Sequence, residues 1–250
     1  MSALPIALQL YSVREDCARD FPGVLKQVAA MGYDGVEFAG YHNLNAAELR
    51  AILDGEGLKV AGAHIGLDTL LDDTLAATVA FQIELGNRFL IVPGLPEARR
   101  DSIDAWKETA EIFNTVADRV RPHGMVVGYH NHTHEFQPMN GAVPWDVFFS
   151  ATQTDVVMQL DTGNAMHGGA DPVDLLQRYP GRAMTVHLKE YARDNPKALV
   201  GEGDVDWSAV FQHCERDGVT QWYIVEQESY PVAPLECAAK CLQNLRAMRA

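Results

Sequence analysis

The chain repeats one pattern eight times: a short apolar run that ends in a polar residue, a turn, and an amphipathic segment. Short apolar runs bounded by turn residues are typical of strands that are buried on both faces of a parallel sheet. The predicted strands are Ile6–Leu10, Gly35–Phe38, Lys59–His64, Phe89–Val92, Met125–His130, Val156–Leu160, Ala183–Leu188 and Tyr223–Val225.

The amphipathic segments between these runs are predicted to be helices. Glycine follows three of them within two residues, at Gly32, Gly57 and Gly218, where a left-handed helix C-cap favours a residue without a side chain. The predicted helices are Phe21–Met31, Ala46–Glu56, Thr74–Leu85, Ser102–Arg121, Pro144–Ala151, Pro172–Arg178, Trp207–Arg216 and Leu235–Arg249.

Strands that alternate with helices predict a parallel sheet. Eight repeats within 250 residues, with no linker or shift in composition, favour one closed (β/α)₈ TIM barrel that spans residues 1–250 as a single domain. An open, doubly wound sheet is the alternative. It is disfavoured because neither a GxGxxG motif nor a P-loop follows the first strand.

Composition narrows the classes of partner. Acidic residues outnumber Lys and Arg by 34 to 20, giving a net charge of −14, whereas a nucleic-acid binder gathers basic residues against phosphates. The longest apolar stretches, such as Phe89 to Pro93, are too short to cross a bilayer. The four cysteines are too sparse for a disulfide framework, and no signal peptide is recognisable, so we expect a cytoplasmic location.

Polar side chains stand at the carboxyl ends of seven of the eight predicted strands. In a TIM barrel these ends converge on one face, which is where active sites form. A packed barrel does not otherwise need polar groups there. The residues are Gln9 and Tyr11, Glu37, His64, the segment His130–Glu135, Asp161, His187 with Lys189, and Glu226 with Glu228.

Four of these residues, Glu135, Asp161, His187 and Glu226, make a mixed carboxylate and imidazole set. Such donors suit Mn²⁺, our preferred ion, and also Mg²⁺, Co²⁺ or Zn²⁺. Each residue taken singly has an ordinary structural explanation. Asp161 could cap the turn before Gly163, His187 could be buried against backbone, and Glu226 could face solvent. Only their joint occurrence at strand ends favours one divalent metal site.

At these residues the chain resembles the xylose isomerase-like barrel enzymes, often called sugar phosphate isomerases/epimerases. The resemblance covers nearly the whole chain. It rests on LQLYSVR (residues 8–14), GYDGVEFAGY (32–41), YHNHTHEF (129–136), QLDTGNAMHGGADP (159–172), VHLKEY (186–191), GEGDVDW (201–207) and YIVEQESY (223–230).

The resemblance implies a divalent metal held by a carboxylate after the fifth strand and by Asp161, His187 and Glu226. Epimerases of the family have Glu where this chain has His130. The nearest carboxylate is Glu135, which we prefer as the fourth ligand, with His130 as the alternative. The YHNH pattern is similar to a branch that includes inosose dehydratases and enzymes that eliminate from 3-keto sugars.

For a small sugar or polyol substrate, the resemblance implies proton abstraction next to a carbonyl that the metal polarises. The candidate bases are His130, then His132, then His134, with Lys189 as an acid or electrostatic stabiliser. The predicted contacts to sugar hydroxyls are Gln9, Glu37 and His64.

Return of the proton to carbon would make the protein an isomerase or epimerase of a keto-sugar or polyol, which is the principal prediction. Expulsion of a β-hydroxyl or an aglycone would make it a dehydratase or lyase, and the histidine-rich fifth loop favours that alternative. A non-catalytic sugar-binding barrel is the alternative of another class. An abasic-site endonuclease is disfavoured by the negative charge. A homo-oligomer is left open.

Overall fold

A computed structural model describes residues 4–249 and confirms the closed barrel of parallel strands. Each strand pairs with the next one along the chain, and the eighth closes the ring against the first. The strands are β1 (Ile6–Gln9), β2 (Gly35–Phe38), β3 (Lys59–His64), β4 (Phe89–Val92), β5 (Val126–His130), β6 (Val157–Asp161), β7 (Thr185–Leu188) and β8 (Trp222–Val225).

Helices surround the barrel in the predicted places. Short 3₁₀ turns occupy Leu10–Val13, Leu67–Leu70, Glu97–Arg99, Arg121–His123 and His134–Phe136. The α-helices are α1 (Arg14–Arg19), α2 (Phe21–Met31), α3 (Ala46–Glu56), α4 (Thr74–Leu85), α5 (Ile103–Val120), α6 (Pro144–Ala151), α7 (Thr162–His167), α8 (Pro172–Arg178), α9 (Trp207–Asp217) and α10 (Pro234–Met248).

Capping residues explain several helix boundaries. Gly32, Gly57 and Gly218 have φ values of 98°, 71° and 68°, so the predicted left-handed caps are present. Two short helices, α1 and α7, were not predicted, because each spans only six residues and shows too little apolar periodicity. Within residues 4–249, no helix combines the length and the apolar character needed to cross a membrane.

The barrel interior has two unlike halves. Its amino-terminal half is filled by apolar side chains, and the continuous core between barrel and helices lies outside the strands. The carboxyl-terminal half carries buried polar and charged groups, which lie on the same inward face of the strands but nearer their carboxyl ends. Strand alternation puts residues two apart on one face, so apolar and polar layers follow each other up the barrel. The apolar layer contains Ala7, Ala61, Phe89, Ile91, Val157, Trp222 and Ile224.

Candidate active site and metal centre

Four buried side chains meet at the carboxyl-terminal end of the barrel. They are His130 at the end of β5, Asp161 at the end of β6, His187 on β7 and Glu226 just after β8. Their ligand atoms all lie within 4.8 Å of one another. His187 Nδ1 is 2.7 Å from Glu226 Oε2 and 3.9 Å from Asp161 Oδ2. The structure thus brings together three of the four predicted metal-ligating residues, with His130 as the fourth.

Two atoms of this cluster are buried without a hydrogen-bond partner: His130 Nδ1 and Asp161 Oδ2. The other oxygen of Asp161 caps α7 by accepting from Asn164 N at 2.7 Å, so the capping role and an inward-facing oxygen coexist in one residue. An unpaired buried polar atom costs about 1–3 kcal/mol. A divalent cation between these atoms would satisfy both, and the donor set of two imidazoles and two carboxylates fits such an ion.

Electrostatics within the cluster show a shortage of positive charge. Burial raises the pKa of Asp161 to about 7; Lys189 opposes this rise, and Glu226 adds to it. Burial alone would lower the pKa of His187, but Glu37 and Glu226 outweigh it and raise the pKa to about 10. The raised pKa values mean that Asp161 and His187 tend to hold protons, and a metal bound between them would supply the same positive charge. Burial, together with the charge of His187, keeps the pKa of His130 well below its usual value, so this imidazole is neutral and fit to be a ligand.

Glu37 lies beneath this cluster and orients His187. Its Oε2 atom is 2.6 Å from His187 Nε2, which leaves Nδ1 of the imidazole for a cation. The carboxylate also accepts hydrogen bonds from Gln9 Nε2 and Gln159 Nε2, each at 2.7 Å. A Cβ atom at Gly62 would lie 2.6 Å from Glu37 Oε1, so the glycine makes room for the carboxylate. Glu37 is thus part of the support of the site.

The predicted sugar contacts occupy different depths. Gln9 and Glu37 have 0% exposed surface, so neither side chain is open to a substrate in this arrangement. Gln9 Nε2 donates a hydrogen bond to Glu37 Oε2, and Gln9 Oε1 accepts one from Tyr11 N. His64 lies nearer the opening, with its ring stacked at 5.4 Å on His187 and its Nε2 atom 2.9 Å from Gln159 Oε1.

Glu135 does not join the four-residue cluster. It is fully buried, but it accepts hydrogen bonds from Tyr129 Oη at 2.7 Å and from His132 N at 2.9 Å. Its nearest potential co-ligands are His132 and His134, in a separate group of three. The turn that contains Glu135 and the hydroxyl of Tyr129 hold this carboxylate away from Asp161, whereas His130 is already in position on the strand.

Two predicted catalytic groups border the cluster. The His132 side chain is 46% exposed, and its ring centroid is 5.3 Å from that of His130. Lys189 Nζ lies 3.4 Å from Glu226 Oε1 and also pairs with Glu228. Burial lowers the pKa of Lys189, but the negative charges of Asp161, Glu226 and Glu228 outweigh it, so the pKa is raised and the amine stays protonated.

Sequence reasoning missed Gln159. It bridges Glu37, His64 and Thr185, the last at 3.0 Å, and so ties four strands together below the cluster. The sequence feature that could have identified it is its position: Gln159 is a polar residue within the apolar run of β6, two positions before Asp161 and therefore on the same inward face.

Comparison with known proteins agrees with this architecture. Residues 25–248 match the family model described as a xylose isomerase-like TIM barrel. An inosose dehydratase from Erwinia tasmaniensis is 26% identical, covering 90% of this chain and 89% of that protein. An inosose dehydratase from Geobacillus kaustophilus is 25% identical, over 83% of this chain and 80% of that protein.

Among solved structures, a sugar phosphate isomerase/epimerase from Parabacteroides distasonis superposes with a TM-score of 0.85 at 24% identity, covering 99% of this chain and 95% of that one. At that identity, the likeness speaks for the fold alone. The family model covers most of the chain, and the motifs quoted from the sequence lie on the barrel strands and their loops. The chain therefore belongs to the xylose isomerase-like TIM barrel family.

Proposed function

We propose that this protein is a metal-dependent carbon–oxygen lyase that removes a proton next to the carbonyl of a keto-polyol or keto-sugar and expels a β-oxygen substituent. The observation that carries the proposal is the buried cluster of His130, Asp161, His187 and Glu226, which has two unpartnered atoms and lies beside His132 and Lys189. The relatives named inosose dehydratase, which match along most of their length, favour elimination and an inosose-like substrate.

His130, Asp161, His187 and Glu226 would hold the metal, with His130 in place of Glu135. Mn²⁺ is our preferred ion, and Zn²⁺, Co²⁺ and Mg²⁺ are alternatives. A bound divalent ion would supply Lewis-acid polarisation of the substrate carbonyl and so acidify the neighbouring C–H bond. Glu37, supported by Gln9 and Gln159, fixes the ring of His187 from below.

His132 is the proposed base. Its side chain is half-exposed at the opening, whereas the ring of His130 is buried among the ligands. Burial lowers the pKa of His132, so the imidazole is neutral at pH 7 and able to accept a proton. As His132 takes the α-proton, the C–H electron pair forms the double bond and the β C–O bond breaks. The leaving oxygen takes a proton from Lys189, which the carboxylates keep protonated, and departs as water or an alcohol.

Isomerisation or epimerisation is the second candidate. The same base and acid would act, but the proton would return to carbon and no C–O bond would break. The resemblance of the strand-end motifs to those of the barrel enzymes called sugar phosphate isomerases/epimerases supports it. His64 is the remaining candidate contact for a substrate hydroxyl, because it lies nearer the opening than Gln9 and Glu37.

One experiment separates these outcomes. Metal-loaded protein would be incubated in deuterated water with inososes, keto-sugars and 3-keto-glycosides, and the products followed by mass spectrometry and NMR. We expect products that have lost the α-hydrogen together with water or the aglycone. Deuterium incorporation without loss would favour the isomerase. Binding without exchange in a metal-containing protein, or no stoichiometric metal at all, would favour a non-catalytic sugar-binding barrel.

We place this chemistry in the cytoplasm, because the cysteines at positions 17, 214, 237 and 241 are all buried free thiols, as is usual in a reducing compartment.

A further inference from the structure

We propose a second metal site, formed by His132, His134 and Glu135, that binds a borderline ion such as Zn²⁺ and thereby inactivates the proposed base. The geometry of these three residues supports the site by itself. Its inhibitory effect rests on the proposed function, because it requires His132 to be the base.

The three side chains already form a compact donor set. One ligand atom from each lies within 4.8 Å of the other two. His134 Nε2 is 3.1 Å from Glu135 Oε1, and His132 Nδ1 is 4.0 Å from the same oxygen. Ligand bonds of about 2.0–2.2 Å in a tetrahedral arrangement place the donor atoms roughly 3.3–3.6 Å apart, so small side-chain rotations would complete the site. Two histidines with one glutamate are a known zinc-binding combination that leaves a fourth position open.

Burial supplies a second, independent reason. The Glu135 side chain is 0% exposed, and among residues 4–249 no Lys or Arg nitrogen lies within 4.0 Å of its carboxylate. His134 Nε2 is a buried atom without a hydrogen-bond partner, although it lies next to that oxygen. The carboxylate accepts hydrogen bonds from Tyr129 Oη and His132 N, and the charge of Arg100 acts on it from a distance, but no cation is in direct contact with it. A bound cation would compensate the buried charge and also give the unpartnered nitrogen of His134 a partner.

The second site shares no ligand with the four-residue cluster, yet His132 adjoins both. Its Nδ1 atom is the nearer one to Glu135, and its ring lies edge-on to that of His130 at 5.3 Å. A metal ion bound at Nδ1 leaves the proton of the neutral ring on Nε2. The imidazole then has no free lone pair and cannot accept a proton from the substrate. Zinc at this site should therefore inhibit without displacing the metal of the first site.

Metal stoichiometry tests the site without any assay of activity. Chelator-stripped protein would be dialysed against Zn²⁺ and its metal content measured. We expect two equivalents in the parent, one in His134→Gln, one in Asp161→Asn and none in the double variant. His123→Gln, which changes an exposed histidine at the other end of β5, is the matched control and should keep two. A single equivalent in the parent, or two in His134→Gln, would overturn the proposal.

Inhibition is tested separately. Mn²⁺-loaded protein would be titrated with Zn²⁺ while Mn²⁺ release and α-proton exchange are followed. We expect exchange to fall in the parent before Mn²⁺ leaves. His134→Gln, compared with its own zinc-free rate, should need at least about tenfold more Zn²⁺, the low end of the affinity losses seen when a metal site is disturbed. Equal sensitivity in both proteins would refute inhibition through His132. If no substrate is turned over, the stoichiometry still decides the second site, so the two proposals fail separately.

Discussion

The two halves of the barrel interior are equally buried but chemically opposite. In the amino-terminal half, Phe89, Ile91 and Trp222 form an apolar plug. In the carboxyl-terminal half, Glu37 and Asp161 lie on the same inward face of the strands and also have 0% exposed surface. Burying apolar area stabilises a fold by about 25 cal/mol per Å², whereas burying a carboxylate costs several kcal/mol unless it is paired.

This difference indicates what each half is for. The apolar half and the shell of helices stabilise the barrel, and the polar half is tolerated because most of its charged groups are paired. Glu37 is paired with His187, and Glu226 with both His187 and Lys189. Even so, His130 and Asp161 keep unpartnered atoms. Substitutions in the carboxyl-terminal half should therefore affect metal binding and catalysis, and those in the amino-terminal half should affect stability alone.

The largest effect is expected for Asp161→Asn. The amide oxygen of the new side chain still caps α7, but the substitution removes the negative charge that the metal needs. We expect loss of the first-site metal and a fall in kcat of about 10³-fold or more, because Lewis-acid stabilisation contributes several kcal/mol. Metal analysis and exchange kinetics would measure this. Asp155→Asn, which removes a carboxylate paired with Arg121, is the control and should behave like the parent. Full metal content in Asp161→Asn would contradict the assignment of Asp161 as a ligand.

His132→Gln should come next, with kcat lowered by about 10²–10³-fold because the general base is lost. The first-site metal should remain, since His132 is not part of the four-residue cluster. Steady-state kinetics with metal analysis would check both points, and His123→Gln serves as the surface control. An unchanged kcat would transfer the role of base to another residue, with His134 the next candidate.

Glu37→Gln tests whether a buried carboxylate positions His187 or contacts the sugar. We expect metal affinity about 10–100-fold weaker, because an orienting hydrogen bond to a ligating histidine is weakened. At saturating metal, KM should stay near the parent value, since Glu37 is closed off from the opening. Chelator competition and kinetics would separate the two effects. A raised KM with unchanged metal affinity would instead support the sequence-based prediction of a sugar contact.

The smallest effect on catalysis is expected for a substitution in the amino-terminal half of the barrel interior. Ile91→Val removes one methylene from the apolar layer and should lower the free energy of unfolding by about 0.5–1.5 kcal/mol. Denaturant unfolding of the metal-saturated protein would measure the loss, with kcat and metal content unchanged. A fall in kcat for the folded variant would show that the two halves of the barrel are coupled, contrary to the division argued above.

Much of this architecture was predictable from local pattern. The apolar runs and the glycine caps located the strands and most of the helices, because burial on both faces and left-handed φ values restrict residue type strongly. Short helices such as α7 escaped prediction, since six residues carry almost no periodic signal. Asp161, His187 and Glu226 were predictable as a group because every barrel strand delivers its carboxyl end to the same face.

Tertiary structure alone decided the fourth member of the cluster and the depth of each polar group. His130 and Glu135 are five residues apart in sequence, and only the path of the chain after β5 places His130 in the cluster and Glu135 against Tyr129. Likewise, residue type made Glu37 a plausible sugar contact, whereas the packing of Gln9 and Gln159 around it makes it a buried support for His187. Sequence alternation determines which face of a strand a side chain takes, but contacts between distant strands determine which partner it meets there.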